Sequence, residues 1–422
     1  MRDEAHRARP VEAVRALPVL CTGNLDSRCI RHSDLKTSLR CRDTNVEFAP
    51  LKLPPPACSS SSMTYDFIII GGGIAGTSAA ARLSHLGKVL LLEAEPALAY
   101  HASGRSAALF EANYGHPVTV ELNKASKDYH MSANGGVLSP RGLMFLGGAE
   151  DSAQFARDVK TMHLNEITVD EAIAMVPILN PDHVTHAAHH HASWDIDTDL
   201  LIQNFIKEAR GNGAEILNSA EVRAISKDGA LWQVTAKTGQ YAARMLVNAG
   251  GAWVNEIAQM AGVASPGFSP LRRSMARMPA PGGHDVSGWP MLIGAGEAWY
   301  AKPDAGAWIV SPAEEDPVEA PHDAWADDMV LAEGIARYQD CVTEEVTRIT
   351  STWAGLRTFA PDRALVIGRA NDDPSFLWFA GQGGYGFQTA PAGSQLLADI
   401  VAGRSSELAP EIVAGLSPAR FA

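Results

Sequence analysis

The sequence has no run of about 18 apolar residues, the length that a membrane-crossing helix needs. Its longest apolar runs, such as residues 67–70 and 89–92, have the length of strands. Basic charge is also scarce, because 35 Lys and Arg residues stand against 48 Asp and Glu, a formal net charge of −13. Phosphate recognition requires a basic field. We therefore expect a globular protein with no membrane span and no nucleic-acid partner.

Cysteine is rare and unevenly distributed. Four of the five cysteines lie within residues 1–58, and Cys341 is the only one in the rest of the chain. The four form no C-x-x-C pair and follow no secretory hydrophobic segment, which disfavours a metal site or a disulfide framework. The remainder is typical of a protein from a reducing compartment. We expect a cytoplasmic location, with Cys341 as an inert buried thiol.

Residues 1–62 lack the periodicity of the rest of the chain. They contain scattered arginines, a proline run at 54–56 and a serine run at 59–62, and Met63 directly precedes a strand pattern. We interpret residues 1–62 as a disordered or non-native extension. A transit peptide is the alternative, although such peptides are poor in acidic residues and this segment holds seven.

Residues 67–93 follow the order of a dinucleotide-binding unit: a β-branched strand, a glycine-rich turn, an alanine-rich helix and a second strand. Gly71 would permit the tight turn, and Gly73 would let the backbone approach a pyrophosphate. Gly76 would let the helix pack closely against the strand. The helix N-terminus offers N–H groups to phosphates. Glu93 ends the second strand, where an acid binds ribose hydroxyls and disfavours NADP. The predicted cofactor contacts here are Gly71, Gly73, Ile74, Ala75, Gly76, Glu93 and Ala94.

Three later segments favour FAD over a nicotinamide cofactor. They are residues 100–108, residues 245–253, and residues 376–402, where a strand, a glycine-rich loop and a helix follow one another. A loop that leads into a helix N-terminus can stabilise the negative charge of a reduced flavin. The predicted cofactor contacts in these segments are Ser103, Arg105, Ser106, Ala249, Gly250, Gly383, Gly384, Tyr385 and Gly386.

With these segments, residues 64–402 resemble the D-amino-acid oxidase superfamily of FAD-dependent oxidoreductases, and within it the bacterial D-arginine dehydrogenases. The segments that carry the resemblance are 101–108, 195–199, 271–274, 299–306, 311–313, 353–357 and 382–386.

The resemblance implies an α/β fold, α+β overall, with a Rossmann-like FAD-binding domain and a discontinuous substrate-binding domain built on a mixed β-sheet. FAD would be noncovalent, since no cysteine follows Arg357 where the related sarcosine oxidases attach it. The implied FAD-binding domain is residues 64–107, 193–265 and 350–402, the substrate-binding domain 108–192 and 266–349, and the C-terminal tail 403–422.

The resemblance also implies a site for an amino acid. Two arginines would hold the carboxylate, because a guanidinium binds it bidentately. Two tyrosines would supply hydroxyls and aromatic walls, and a glycine carbonyl would accept from the amine. Arg272 is adjacent to one of these arginines, which leaves open which of the two points inward. The alternative for each arginine is a structural ion pair, and the alternative for each tyrosine is a core aromatic residue. The implied catalytic residues are Arg273, Arg357, Tyr300, Tyr114 and Gly384.

Two pocket residues distinguish this chain from the D-arginine dehydrogenases. Leu109 replaces a pocket histidine, and Leu143 replaces the carboxylate that receives the substrate guanidinium. A guanidinium facing Leu143 would lose its hydration without gaining a partner, so we expect an apolar or aromatic side chain. Glu111, at the pocket edge, keeps a cationic substrate open as the alternative.

The implied reaction oxidises a D-amino acid to its imino acid by hydride transfer from Cα to flavin N5, after which water gives a 2-oxo acid and ammonium. The partners are the amino acid and an unidentified electron acceptor or O2. One alternative is an oxidase or dehydrogenase of a secondary amine such as sarcosine, or of glycine. The others are an NAD-dependent dehydrogenase and a non-enzymatic flavin-binding electron-relay subunit.

A histidine-rich segment precedes the acidic run at 195–199. We expect its histidines to be exposed on a strand and to bind no metal. Asp197 or Asp199 is expected at the start of a helix. The histidines are His183, His186, His189, His190 and His191.

Overall fold

The computed structural model describes residues 64–422. The predictions about residues 1–62, including those about the four cysteines there, lie outside the described residues. The strands of the described chain are β1 Thr64–Ile70, β2 Val89–Leu92, β3 Leu109–Glu111, β4 Leu138–Pro140, β5 Leu143–Gly147, β6 Asn165–Ile167, β7 His186–His190, β8 Ser193–Ile196, β9 Glu215–Leu217, β10 Val222–Asp228, β11 Leu231–Ala236, β12 Gly239–Asn248, β13 Ser269–Pro279, β14 Met291–Gly294, β15 Tyr300–Asp304, β16 Ala307–Ser311, β17 Asp316–Pro317, β18 Ser351–Phe359, β19 Val366–Arg369 and β20 Phe376–Ala380. The α-helices are α1 Ile74–Leu83, α2 Pro117–Ser132, α3 Ser152–Met162, α4 Val169–Met175, α5 Thr198–Gly211, α6 Val254–Ala261, α7 Asp328–Asp340, α8 Gly386–Ala402 and α9 Pro410–Leu416.

The first sheet has the order β10-β11-β12-β1-β2-β9, with β20 on β12 and β19 on β20. Its central pairs, β12–β1, β1–β2 and β12–β20, are parallel. Parallel strands are buried on both faces, which explains the continuous apolar run at the end of β1. Helix α1 packs against α5 and α8 over this sheet. The sheet therefore brings the glycine-rich turns after β1 and β20 to the same edge.

The second sheet has the order β17-β13-β16-β15-β14-β5-β7-β6, and β18 also pairs with β13. A third, three-stranded sheet has the order β3-β8-β4. The β5–β14 pair is parallel, whereas β13 pairs antiparallel with β16 and with β18. The α/β fold with mixed sheets is confirmed, while the division into two domains stays a prediction.

The histidine-rich segment departs from expectation. His189 and His190 were expected to be exposed, but each is only 8% exposed. The reason is that β7 lies inside the second sheet, between β5 and β6. Burial lowers the pKa of His189 to about 4, with a smaller contribution from the neighbouring His191 and His190.

Two local predictions are confirmed. Asp197 is the N-cap of α5, where its side chain accepts from the Leu200 N–H, and Asp199 lies in the first turn. Cys341 is buried, and burial raises the pKa of its thiol to about 12, which keeps it protonated.

Candidate functional site

The turn between β1 and α1 needs glycine at two positions. Gly71 has φ +108°, and a Cβ there would lie 2.4 Å from the Ala249 carbonyl oxygen. A Cβ on Gly76 would lie 1.7 Å from the Gly71 carbonyl oxygen. A side chain on Gly71 would clash with the backbone that follows β12, and a side chain on Gly76 would push α1 away from the end of β1.

Glu93 holds this turn from the end of β2. Its carboxylate accepts from the Gly72 N–H at 2.5 Å and from the Glu95 N–H at 2.8 Å. The side chain is buried and lines the edge of a large cavity. Glu93 therefore fixes the glycine turn and presents a carboxylate oxygen edge to any ligand in that cavity.

That first cavity has a volume of about 450 Å³. It extends from the N-terminus of α1 to the end of β2; the N-cap Gly73 has no side chain there, and of the first helix amides the Ile74 N–H donates to the Ser103 hydroxyl oxygen at 3.0 Å. Helix N-termini with uncovered amides favour phosphate. The predicted cofactor residues that line it are Gly71, Gly73, Glu93, Ala94, Ser103, Arg105, Ala249 and Gly250.

A second cavity of about 120 Å³ continues from the first, since residues such as Gly73, Ser103 and Ala249 line both. The size and continuity of the two cavities, with the helix N-terminus between them, fit an extended dinucleotide such as FAD. The predicted cofactor residues that line the second cavity are Gly73, Ile74, Ala75, Ser103, Arg105, Ser106, Ala249, Gly383, Gly384 and Gly386.

Two predicted cofactor residues line neither cavity. Gly76 faces the Gly71 carbonyl and serves the packing of α1. Tyr385 lies with its ring centroid 5.2 Å from that of Tyr114. Arg105 lines both cavities, and its guanidinium also donates to the carbonyls of Ala324 and Ala354 at 2.9 and 2.8 Å.

A third cavity, of about 80 Å³, adjoins the second. The structure brings all five predicted catalytic residues to its wall, and four of them, all but Tyr114, also line the second cavity. The boundary between the two cavities is therefore made of the residues predicted to bind an amino acid. The predicted residues in the wall of the third cavity are Arg273, Arg357, Tyr300, Tyr114, Gly384, Leu109, Glu111 and Leu143.

The strand register decides between the two adjacent arginines of β13. Arg273 lines the second and third cavities, and its Nε donates to the Glu314 carbonyl at 2.8 Å. Its guanidinium also lies 3.2 Å from the Glu315 carboxylate. Arg272 instead pairs with Asp316 at 2.9 Å. Because successive side chains of a strand point to opposite faces, only one of the two can face the cavities.

Arg357 lies on the neighbouring strand β18. Its guanidinium makes no hydrogen bond or ion pair with any residue between 64 and 422. Burial by itself would lower the pKa of Arg357, but the nearby Tyr300, Tyr114 and Glu297 raise it, and the net shift is upward. The guanidinium therefore stays charged, with donors directed into the cavities. A partly buried cation with unused donors that line a cavity favours the binding of a carboxylate.

Two tyrosine hydroxyls complete the polar side of the third cavity. The Tyr114 hydroxyl donates to the Glu297 carboxylate at 2.8 Å, and burial followed by Glu297 raises the pKa of Tyr114 well above its usual value. The closest acceptor of the Tyr300 hydroxyl is the Met275 sulfur at 3.5 Å, a weak partner. The Tyr300 hydroxyl can therefore be offered to a ligand.

The pocket residues include several that the sequence reasoning missed. Met291 and Ile293 lie two apart on β14, so their common direction was available from the strand period. The others come from separate elements, and no local pattern pointed to them. The missed residues are Met162, Met291, Ile293, Glu297 and Gln388.

The described chain contains no group of three or more metal-ligating side chains that could hold an ion. It also has no helix long and apolar enough to cross a membrane.

Known proteins resemble this chain in sequence and in fold. The chain is 26% identical over 248 residues to hydrogen cyanide synthase subunit HcnC of Pseudomonas aeruginosa, a match that spans 56% of each protein. It is 24% identical over 366 residues to glycine oxidase of Bacillus licheniformis, covering 80% of this chain and 93% of that one. The structure of L-proline dehydrogenase from P. horikoshii superposes with a TM-score of 0.72 at 23% identity, covering 85% of this chain and 98% of that one. The model of the DAO family, described as FAD dependent oxidoreductase, matches residues 66–400. Since this match spans most of the chain, the protein belongs to the DAO family of FAD-dependent oxidoreductases.

Proposed function

We propose that this protein oxidises a small amino acid whose carboxylate is held by Arg357 and Arg273. The observation that carries the proposal is Arg357, a partly buried guanidinium without a partner among the described residues, at the boundary between the second and third cavities. A guanidinium fork binds a carboxylate through two parallel hydrogen bonds, which fixes both position and orientation. The Cα of a substrate held in this way would lie at the same boundary.

FAD bound along the first and second cavities would accept the hydride from Cα. The chain's own contribution is orientation: Arg357 and Arg273 hold the carboxylate, and the Tyr300 hydroxyl and the Gly384 carbonyl bind beside it. The ammonium group loses a proton, and loss of the hydride from Cα then leaves an imino acid. Water converts this product to a 2-oxo acid and ammonium.

The apolar wall of the third cavity supports a substrate with an apolar side chain, and the D-configuration is proposed from the resemblance to the D-amino-acid oxidase superfamily. Leu109 and Leu143 line it, together with Met291 and Ile293. A guanidinium against this wall would cost several kcal/mol for lack of a partner. The resemblance to D-arginine dehydrogenase therefore stays a prediction about the carboxylate clamp and does not extend to the arginine side chain.

A secondary amine such as sarcosine, or glycine, is the second candidate. The volume of the third cavity, about 80 Å³, is small and suits a substrate with little or no side chain. One relative of this chain is named glycine oxidase. Both candidates use the same arginine pair, and they differ in what fills the third cavity.

Anaerobic mixing of the purified FAD-loaded protein with single amino acids separates these possibilities. The panel contains D-leucine, D-phenylalanine, their L-isomers, D-arginine, glycine and sarcosine, and flavin absorbance is followed. Bleaching by the apolar D-isomers supports the first candidate, whereas bleaching by glycine or sarcosine alone supports the second. A protein that binds FAD and is reduced by none of them would contradict the proposal and favour an electron-relay subunit.

A further inference from the structure

Glu111 lines the third cavity, and its carboxylate is already surrounded by donors from the protein. Its Oε1 accepts from the Asn113 N–H at 3.0 Å, and its Oε2 lies 2.8 Å from His190 Nε2 and accepts from the Ser193 hydroxyl. Glu111 is 2% exposed and His190 is 8% exposed. The carboxylate is therefore largely saturated before any ligand enters the cavity.

The strand register explains how His190 reaches this position. His190 on β7 is paired directly with Leu143 on β5, and directly paired residues project to the same face of a sheet. Leu143 fills that face toward the cavity, and the imidazole lies beside it and contacts Glu111 from behind. The end of the cavity thus combines the apolar side chain of Leu143 with the carboxylate of Glu111, whose partner is His190 of the same protein.

We propose that His190 is a specificity-determining residue, because its imidazole occupies Glu111 and so withholds that carboxylate from a cationic substrate side chain. The inference rests on the proposed amino-acid oxidation. An ammonium or guanidinium that enters the cavity would have to displace the imidazole, and it would gain no new partner from Leu143. Glu111 therefore does not compensate for the carboxylate that Leu143 replaces.

The test replaces the imidazole by an apolar side chain of similar size, His190→Leu. Flavin reduction by D-lysine and by D-leucine is measured anaerobically with the FAD-loaded protein, and the ratio of the two rates is compared with that of the unmodified protein. Removal of the internal partner leaves a cavity carboxylate that a substrate cation can satisfy. We expect the ratio to rise at least about 10-fold, the discrimination typical of one buried polar contact.

Three further variants isolate the cause. In the double variant His190→Leu/Glu111→Gln the rise in the ratio should disappear, because the carboxylate that receives the cation is gone. His190→Ala removes the same donor with a smaller side chain and serves if the leucine variant does not fold. His186→Leu is the matched control on the same strand: its imidazole bonds Ser152 at 2.8 Å, away from the cavity, and the ratio should not change.

An unchanged ratio in folded, FAD-loaded His190→Leu or His190→Ala would overturn the inference, as would a rise that survives Glu111→Gln. Failure of the proposed function has a different signature. In that case no amino acid, including D-leucine, glycine and sarcosine, would bleach the unmodified protein.

Discussion

Arg357→Met is the substitution with the largest expected effect on activity. The side chain has no protein partner between residues 64 and 422, so its removal leaves no orphaned acceptor there, and the loss falls on the ligand. Each hydrogen bond to a charged group contributes about 1.5–3 kcal/mol. Two such bonds to a carboxylate amount to about 3–6 kcal/mol, which corresponds to a fall in kcat/KM of about 10²- to 10⁴-fold.

The same reasoning ranks three companion variants. Arg357→Lys keeps the charge but loses the planar fork, and should recover only part of the activity. Arg273→Met should lower kcat/KM less than Arg357→Met, since the Arg273 guanidinium already donates to the Glu314 carbonyl and pairs with the Glu315 carboxylate. Arg277→Met is the control: it lies on the same strand, but its guanidinium pairs with Asp304 at 2.7 Å.

The assay is steady-state kinetics with the amino acid that bleaches the flavin fastest, together with FAD content and unfolding temperature for each variant. The reasoning fails if folded, FAD-loaded Arg357→Met retains kcat/KM within a few-fold of the unmodified protein. It also fails if Arg277→Met loses as much activity as Arg357→Met.

Three other predictions concern cofactor binding and stability. Gly76→Ala would put a Cβ 1.7 Å from a backbone oxygen, so the purified protein should contain little FAD, as its absorbance ratio would report; full FAD content would contradict the packing argument. Lys302→Met should lower the unfolding free energy in urea by about 2 kcal/mol, because it breaks a part-buried 2.5 Å pair with Asp195, which keeps Arg141 as its other partner; an unchanged midpoint would show that the pair is dispensable. Burial lowers the pKa of His130 to about 4, so the neutral ring stabilises the fold above pH 6.5 and about 3 kcal/mol should be lost as the pH falls from 6.5 toward 4. His130→Gln should flatten that part of the stability–pH profile, and an equal slope in both proteins would refute the assignment.

The cofactor half of the site was predictable because its signals are local. The β-branched end of β1, the spacing of Gly71 and Gly76 and the acid at Glu93 all lie within one βαβ unit, and each is required by backbone geometry. The loop before α8, which begins at Gly386, was found for the same reason.

The substrate half depended on information that a single sequence does not contain. Choosing Arg273 over Arg272 required the register of β13, and the burial of His189 and His190 required the position of β7 inside its sheet. The engagement of Glu111 by His190 joins two strands far apart in the chain. Long-range pairing of this kind follows from tertiary packing, which local periodicity does not encode.

The most direct test of the account is a single anaerobic turnover of the FAD-loaded protein with D-leucine, in which flavin absorbance and 2-oxo acid are measured together. The account predicts loss of the oxidised flavin band with about one equivalent of 4-methyl-2-oxopentanoate and of ammonium per flavin, since a two-electron oxidation forms one imino acid. An oxidised flavin that persists with D-leucine, glycine and sarcosine alike would contradict it.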